Sequence, residues 1–170
     1  VSIRGLGSAG LDTVESSVGI YIDEIYFGRS RLSRNPLFDM DRIEVLRGPQ
    51  GTLYGRNTIA GAISMHTARP TNEFSARMLA ESGNLNSHKV EGSISGPLTD
   101  GLAVRFAAMN SRRGTYLTND IGPDGGGQDT EGYRVSATWN PVESLSVFGK
   151  YETIVHEQVG VFDQLGSDPF

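Results

Sequence analysis

The segment Tyr26-Phe-Gly-Arg-Ser-Arg-Leu-Ser-Arg-Asn35 carries the residue types best suited to holding a ligand. Arg29, Arg31 and Arg34 stand at spacings of two and three beside two aromatics, Tyr26 and Phe27. A guanidinium offers carboxylates and oxyanions a fixed fork of donors, and an aromatic ring offers flat apolar contact. The loop therefore suits an anionic ligand, with acidic side chains of the protein itself as the competing partners for the same arginines.

Other motifs carry less. Gly5-Leu-Gly-Ser-Ala-Gly10 matches the glycine spacing of a dinucleotide loop, and Asp23 stands about where a ribose-binding acid belongs. That chemistry needs a helix after the glycines to meet the pyrophosphate. Leu11–Ser17 is too short for it and lacks a 3.6-residue apolar period, so the glycines are read as turn residues. Gly48–Gly55 lacks the Lys-Ser/Thr of a phosphate loop. Between Asp120 and Glu131 the spacing approaches a calcium loop, with Asp120, Asp124 and Glu131 as the weak candidate ligands. Gly122 replaces one oxygen donor, and nothing flanking is helical. His66, His88 and His156 show no ligand spacing, and neither a G-x-S-x-G nor a His-Glu-x-x-His motif occurs. The chain is read as a non-enzyme with no cofactor and no metal.

These residues are positioned by two stretches of different texture. In residues 1–70 the expected strands are short: Val1–Arg4, Val18–Asp23, Ile43–Leu46 and Gly61–His66, with glycine- and proline-containing loops between them. Ile43, Val45 and Leu46 form a strand that must end at Gly48-Pro49. Gly48, Gly51, Gly55 and Gly61 then turn the backbone and let it pack where a Cβ would clash. From residue 71 to 170 the segments are longer and alternate, the third most weakly because its second face, Ala103, Arg105, Ala107 and Met109, is mostly small and apolar. Phe74, Ala76, Met78 and Ala80; Val90, Gly92 and Ile94; Leu102, Val104, Phe106 and Ala108; Tyr133, Val135, Ala137 and Trp139; and Leu145, Val147, Gly149 and Tyr151 each occupy every second position. A period of two marks strands with one apolar and one more polar face. Short turns are expected at 96–101 and 140–144, and a long polar loop at 114–132.

Composition is compatible with such a chain. Glycine is 22 of 170 residues, hydrophobic residues are 37%, and there is no cysteine, hence no disulfide framework or thiolate metal site. A net charge of −5 argues against a nucleic-acid partner, which calls for a basic stripe. No run of about 18 apolar residues offers a transmembrane helix.

The stretch Arg42-Ile-Glu-Val-Leu-Arg-Gly-Pro-Gln-Gly-Thr-Leu-Tyr-Gly55 closely resembles the plug domain of TonB-dependent outer-membrane receptors. Ile3-Arg4-Gly5 resembles an earlier strand-turn of that family. Val18-Gly-Ile-Tyr-Ile-Asp-Glu24 resembles its next strand, with Glu24 where the family's Asp-Gly turn has glycine. The resemblance implies a mainly β fold: a small mixed α/β plug domain over residues 1–70, then antiparallel strands of an incomplete transmembrane β-barrel over residues 71–170. Five strands cannot close a plugged barrel of about 22, so the open edge should be prone to aggregation. With strand one running outward from the plug, the short turns fall on the periplasmic side and the long loop outside. A soluble β-sandwich is the competing architecture.

By the same resemblance, Tyr26, Phe27, Arg29, Arg31 and Arg34 lie on the plug's apical loop, where they would contact an anionic ferric chelate or pair with acids of the barrel interior. Arg42, Glu44, Arg47, Gly48, Gly51, Tyr54 and Gly55 would be structural residues of the plug–barrel interface, with Arg47 pairing barrel carboxylates. The implied function is TonB-dependent uptake of a scarce solute, most often a ferric siderophore, across the outer membrane of a Gram-negative bacterium. Cobalamin or an oligosaccharide is the alternative cargo, and a stand-alone soluble β-rich binding module the second alternative. The implied partners are TonB, through a segment upstream of residue 1, the solute, and outer-membrane lipid. A signal peptide and the rest of the barrel are expected outside these residues, and the segment alone should not transport.

Overall fold

The fold is taken from a computed structural model that describes residues 2–3, 6–7, 18–27, 36–49, 51–54, 58–118 and 124–159. The chain divides into two compact units, Val1–Pro70 and Thr71–Phe170.

In the first unit, β1 (Ser2–Ile3) and β2 (Leu6–Gly7) form a small antiparallel pair where a single strand was expected. A second sheet contains β3 (Val18–Ile22), β4 (Ile25–Tyr26), β5 (Met40–Arg47) and β6 (Gly61–Thr67), in the order β4-β3-β6-β5. The pairing of β3 with β6 is parallel, while β5 with β6 and β3 with β4 are antiparallel. One helical turn, α1 (Gly51–Tyr54), separates β5 from β6. The central strand β6 is mostly buried, and Val18, Ile20, Phe38, Ala62 and Met65 form the core.

Two details explain the local sequence. Asp23 and Glu24 both have positive φ, 47° and 69°, which makes β3–β4 a two-residue hairpin of the type whose twist matches the strands. The Asp23 carboxylate accepts from Thr67 N–H at 2.8 Å and from Thr67 Oγ1 at 2.7 Å, tying this turn to the end of β6. The glycines of the motif act differently from expectation. Gly48 is required by its φ of 91°, yet a Cβ there would meet open space, as it would at Gly51. Close packing instead falls on Gly19, where a Cβ would sit 2.5 Å from the Thr58 methyl.

The second unit is an antiparallel meander of β7 (Ser75–Gly83), β8 (Ser87–Thr99), β9 (Leu102–Arg113), β10 (Gln128–Val142) and β11 (Leu145–Gln158). Every strand after β7 exceeds the roughly 9–11 residues that cross a bilayer core. The sheet is open, with β7 and β11 at its edges. Asp100-Gly101 and Glu143-Ser144 turn β8 into β9 and β10 into β11. Between β9 and β10 the long connection is not simply a polar loop: Leu117 bridges Gly125, and Gly126 N–H donates to Val159 O at 2.8 Å.

Cross-strand partners share a face, so the register sorts the side chains into rows. One row runs Ala76, Ile94, Phe106, Val135, Tyr151, and its neighbour on the opposite face runs Arg77, Ser93, Ala107, Arg134, Glu152. The buried side is mixed, with Ala103, Ala107 and Met109 beside most of the buried polar groups. Ser95, Arg105, Thr130, Arg134 and Ser136 are buried, whereas Phe106, Tyr133, Val135 and Trp139 are each about half exposed. Buried polar groups require partners: Arg134 pairs Glu152 at 2.5 Å, Arg105 donates to Ser93 Oγ at 2.9 Å, and Thr130 meets His156 at 2.8 Å. A water-soluble sandwich buries its apolar face instead.

The apolar band has limits along the strands. Trp139, with Leu102 and Val147, forms a row near its turn end, with Leu98, Val142 and Leu145 exposed just beyond it. Ser82, His88, Arg112, Asp129 and Glu157 form a polar row at the other end. From Trp139 to Asp129 is about ten residues, or ~33 Å of strand, and at a tilt of about 40° that spans ~25 Å, the height of an outer-membrane barrel's apolar band.

Candidate functional site: a polar cleft on the first sheet

Alternation in β5 and β6 places Arg42 and Glu44 beside His66 and Ser64. The register pairs Arg42 with His66, and Glu44 with Ser64, which in turn pairs with Tyr21 of β3. Tyr54 arrives from α1 and Glu24 from the hairpin turn. Tyr21, Glu24, Arg42, Glu44, Tyr54, Ser64 and His66 together line a cleft of about 410 Å³.

The charged groups in it are held in place. Arg42 Nε donates to Glu44 Oε1 at 2.7 Å, and its Nη1 to Asp41 Oδ2 at 2.9 Å. These bonds from Glu44 and Asp41 raise the Arg42 pKa further above its ordinary value, and the bond from Arg42 lowers that of Glu44. Aromatic packing builds the opposite wall: the Tyr21 ring lies 4.8 Å from Tyr54 and 5.4 Å from Tyr26, and the Tyr21 hydroxyl donates to the Tyr54 carbonyl. Burial is the main cause of the raised Tyr21 pKa, with Tyr26 and Tyr54 adding to it.

His66 Nε2 lies 3.1 Å from Ser64 Oγ and 3.9 Å from Glu44 Oε1. This is not a nucleophile–base–acid relay, because both partners meet the same ring nitrogen, and the relay needs the acid on the other one. What the cleft offers is ion pairing, hydrogen bonding and aromatic surface.

Of the residues expected from sequence to matter, Arg42, Glu44 and Tyr54 come together in this cleft. Gly48 and Gly51 shape the connection between β5 and α1, and Arg47 stands exposed at the end of β5 with no partner among the described residues. The Tyr26 ring lies against Tyr21 at a tilt of 41°, and Phe27 N–H donates to Ile20 O at 2.8 Å, closing the hairpin. Arg29, Arg31, Arg34 and Gly55 lie outside the described residues. So does Asp120. Glu131 sits in β10, where its carboxylate accepts from Asn110 Nδ2 at 3.3 Å, and among the described residues no three acidic or imidazole groups form a metal set.

Tyr21, Glu24, Ser64 and His66 are the cleft residues that motif reading missed. The alternation of Ser64 and His66 in β6 put them on one face, but their partnership with Glu44 and Arg42 depends on register, which no local pattern states.

Comparison with known proteins agrees with this architecture. Residues 1–62 match the model of the TonB-dependent receptor plug domain. The pesticin receptor of Yersinia pestis is 34% identical over 141 residues, which cover 80% of this chain and 20% of that protein. The vitamin B12 transporter BtuB of Vibrio vulnificus is 27% identical over 128 residues, covering 75% of this chain and 20% of the transporter. Among solved structures, the ferric yersiniabactin uptake receptor FyuA from Yersinia pestis superposes with a TM-score of 0.61 at 28% identity, over 75% of this chain and 20% of that one. The pyoverdine outer membrane receptor FpvA from Pseudomonas aeruginosa shares the fold, with a TM-score of 0.67 at 22% identity over 86% of this chain and 22% of the receptor. The chain thus spans about a fifth of the length of these relatives. With a plug-domain match, a following sheet that is apolar outside and polar inside, and relatives of this kind along most of its length, the chain belongs to the TonB-dependent receptors of the Gram-negative outer membrane.

Proposed function

We propose that the receptor to which this chain belongs imports a scarce solute across the outer membrane, and that the solute is a ferric siderophore. The observation that carries this is the 34% identity to the pesticin receptor over 141 residues, supported by the 28% identity to the ferric yersiniabactin uptake receptor. In this reading residues 1–70 are the later part of the plug, and residues 71–170 are the first five strands of the wall. Tyr26, Phe27, Arg29, Arg31 and Arg34 contact the anionic chelate. TonB pairs as an added strand with a segment upstream of residue 1 and pulls on the plug. The work comes from that partner, so the chain needs no hydrolytic group of its own.

The cleft fits a plug that must move. Polar contacts can be exchanged for water at small net cost, whereas a dry apolar interface holds in proportion to its buried area. Arg42, Glu44, Tyr54 and the exposed Arg47 are therefore assigned to the plug's contact with the wall. Cobalamin is the second reading, favoured by the identity to BtuB over 75% of the chain.

The test is uptake by cells lacking the receptor gene and complemented with the full-length receptor. Radioactive iron entering on a panel of siderophores, and lost with Arg29→Ala/Arg31→Ala/Arg34→Ala, is the expected result. Entry of labelled cobalamin with no iron response would replace the siderophore reading, and entry of neither would remove both.

A further inference from the structure

A trough crosses the outward face of the second sheet close to its two tight turns. It encloses about 350 Å³ and is walled by Phe74, Ile94, Gly96, Val104, Phe106 and Val135. Its origin is a change of side-chain size between rows. Gly96, Val104, Ala137 and Gly149 form a low row between the bulkier Ile94, Phe106, Val135, Tyr151 and the row of Leu102, Trp139 and Val147. Phe74 closes the end, its Cα 3.4 Å from where a Gly96 Cβ would stand.

The trough offers nothing to water. Ser95 alternates to the opposite face, where its Oγ accepts from Thr71 N–H at 2.9 Å and donates to Val104 O at 3.1 Å. Arg105 likewise turns away, to Ser93. Pro97, beside Gly96, has no N–H at all. A void with so few polar partners stays dry and takes an apolar guest. It is continuous with the exposed apolar band, so the guest at hand is a hydrocarbon chain.

Position and charge narrow its identity. The Trp139 row lies one row away, about 6.7 Å along the strands, and tryptophan marks the headgroup level of a bilayer. The trough therefore begins just inside the hydrocarbon and takes the carbons nearest the glycerol. The adjoining turns are acidic. Asp100 and Glu143 are both exposed, no Lys or Arg occurs in 96–101 or 140–145, and Asn140 N–H donates to Gly101 O at 2.7 Å, which sets the two turns side by side. An anionic headgroup is repelled there and an ammonium is attracted.

We propose that this trough is a phospholipid site, holding one acyl chain of an ethanolamine-headed lipid whose ammonium faces Asp100 and Glu143. The proposal rests on the second sheet being membrane wall. Filling the notch with Gly96→Leu, or narrowing it with Val104→Phe, displaces the chain. Gly92→Leu is the control on the same strand and face, because a Cβ there has 3.7 Å to its nearest neighbour.

The experiment uses the full-length receptor in nanodiscs, with phosphatidylethanolamine carrying a photoreactive diazirine near the glycerol end of one acyl chain. The same acyl probe on phosphatidylglycerol serves as comparison, and each variant is first shown to keep the heat-modifiable mobility of a folded barrel. Label should concentrate on residues 94–106 and 135. It should fall about tenfold in Gly96→Leu and Val104→Phe, the loss of about two buried methylenes, and persist in Gly92→Leu. Asp100→Lys with Glu143→Lys should shift the preference toward phosphatidylglycerol. Even labelling along the apolar band, unchanged by Gly96→Leu, would overturn the site, and equal labelling by the two unaltered-receptor probes would overturn the headgroup. No outward residue labelled by either probe would instead remove the membrane-wall reading beneath it.

Discussion

The two sheets of this chain place their large apolar and their charged side chains differently. In the first, Val18, Ile20, Phe38, Ala62 and Met65 are inside, and charge gathers in an open cleft around Arg42 and Glu44. In the second, Arg105, Arg134, Thr130 and Ser136 are inside, while Phe106, Tyr133, Val135 and Trp139 face out. Both obey the same rule, that apolar surface leaves water. They differ in where the apolar phase is. The first sheet makes its own from side chains, and the second borrows the bilayer. Polarity inside the second sheet is met mostly pair by pair, as Arg134 with Glu152 shows, although Ser136 Oγ is buried with no hydrogen-bond partner among the described residues.

Three substitutions and one titration put this contrast to the test. Phe38 is 1% exposed in the first core, so Phe38→Ala should cost about 3–5 kcal/mol. Hydrogen exchange of the full-length receptor should then show lost protection in β3 and β6 while β8–β10 keep theirs. Exchange lost equally throughout would mean that the two units unfold as one.

Val135→Arg addresses the second sheet. Near the middle of a lipid-facing band, an arginine should cost about 2–4 kcal/mol, measured by denaturant unfolding in lipid vesicles. On the surface of a water-soluble sheet the same change is worth within about ±0.5 kcal/mol. A result in that lower range would make the half-exposed Val135 a water-facing residue and abolish the contrast.

A smaller gain is expected at the hairpin. Glu24 holds a φ of 69°, and relieving a side chain in this region stabilises by about 1 kcal/mol. Glu24→Gly should therefore slow exchange of the Phe27 amide, which donates to Ile20 O. Unchanged or faster exchange would indicate that the Glu24 side chain contributes as much through the cleft as its backbone costs.

The smallest effect concerns pH. Arg42 lowers the Glu44 pKa, so the pair contributes above the ordinary carboxylate value of 4.5 and is lost as pH falls through the lowered one. Carboxyl NMR should find the Glu44 midpoint below 4.5, moving back up in Arg42→Ala. A midpoint indifferent to Arg42 would mean that the pair is not populated in solution.

Much of this architecture was legible locally. Period-two alternation from residue 74 onward announces β7 to β11, because a strand's side chains must alternate whatever lies on either face. The Asp23-Glu24 turn was also visible, although only the backbone reveals that Glu24 accepts a conformation suited to glycine. Three things were hidden. The extension of Ile43–Leu46 to Met40–Arg47 follows from pairing with β6, not from the propensity of its polar ends. Gly19 looked like an ordinary strand residue, and its necessity comes from Thr58, distant in sequence. The cleft was half seen: Arg42, Glu44 and Tyr54 stand out in a dense motif, whereas Ser64 and His66 look like unremarkable members of an apolar strand.

The family, the two textures and the existence of two faces on every later strand follow from residue order and spacing alone. Which face is buried is a matter of packing between strands. Alternation is symmetric, and Arg134 or Val135 could equally have pointed inward until register gathered Ser95 of β8, Arg105 of β9 and Thr130, Arg134 and Ser136 of β10 onto one buried side. Register likewise made the trough at Gly96 and the cleft at Glu44, because a hollow is a relation between neighbouring strands, and no single strand carries it.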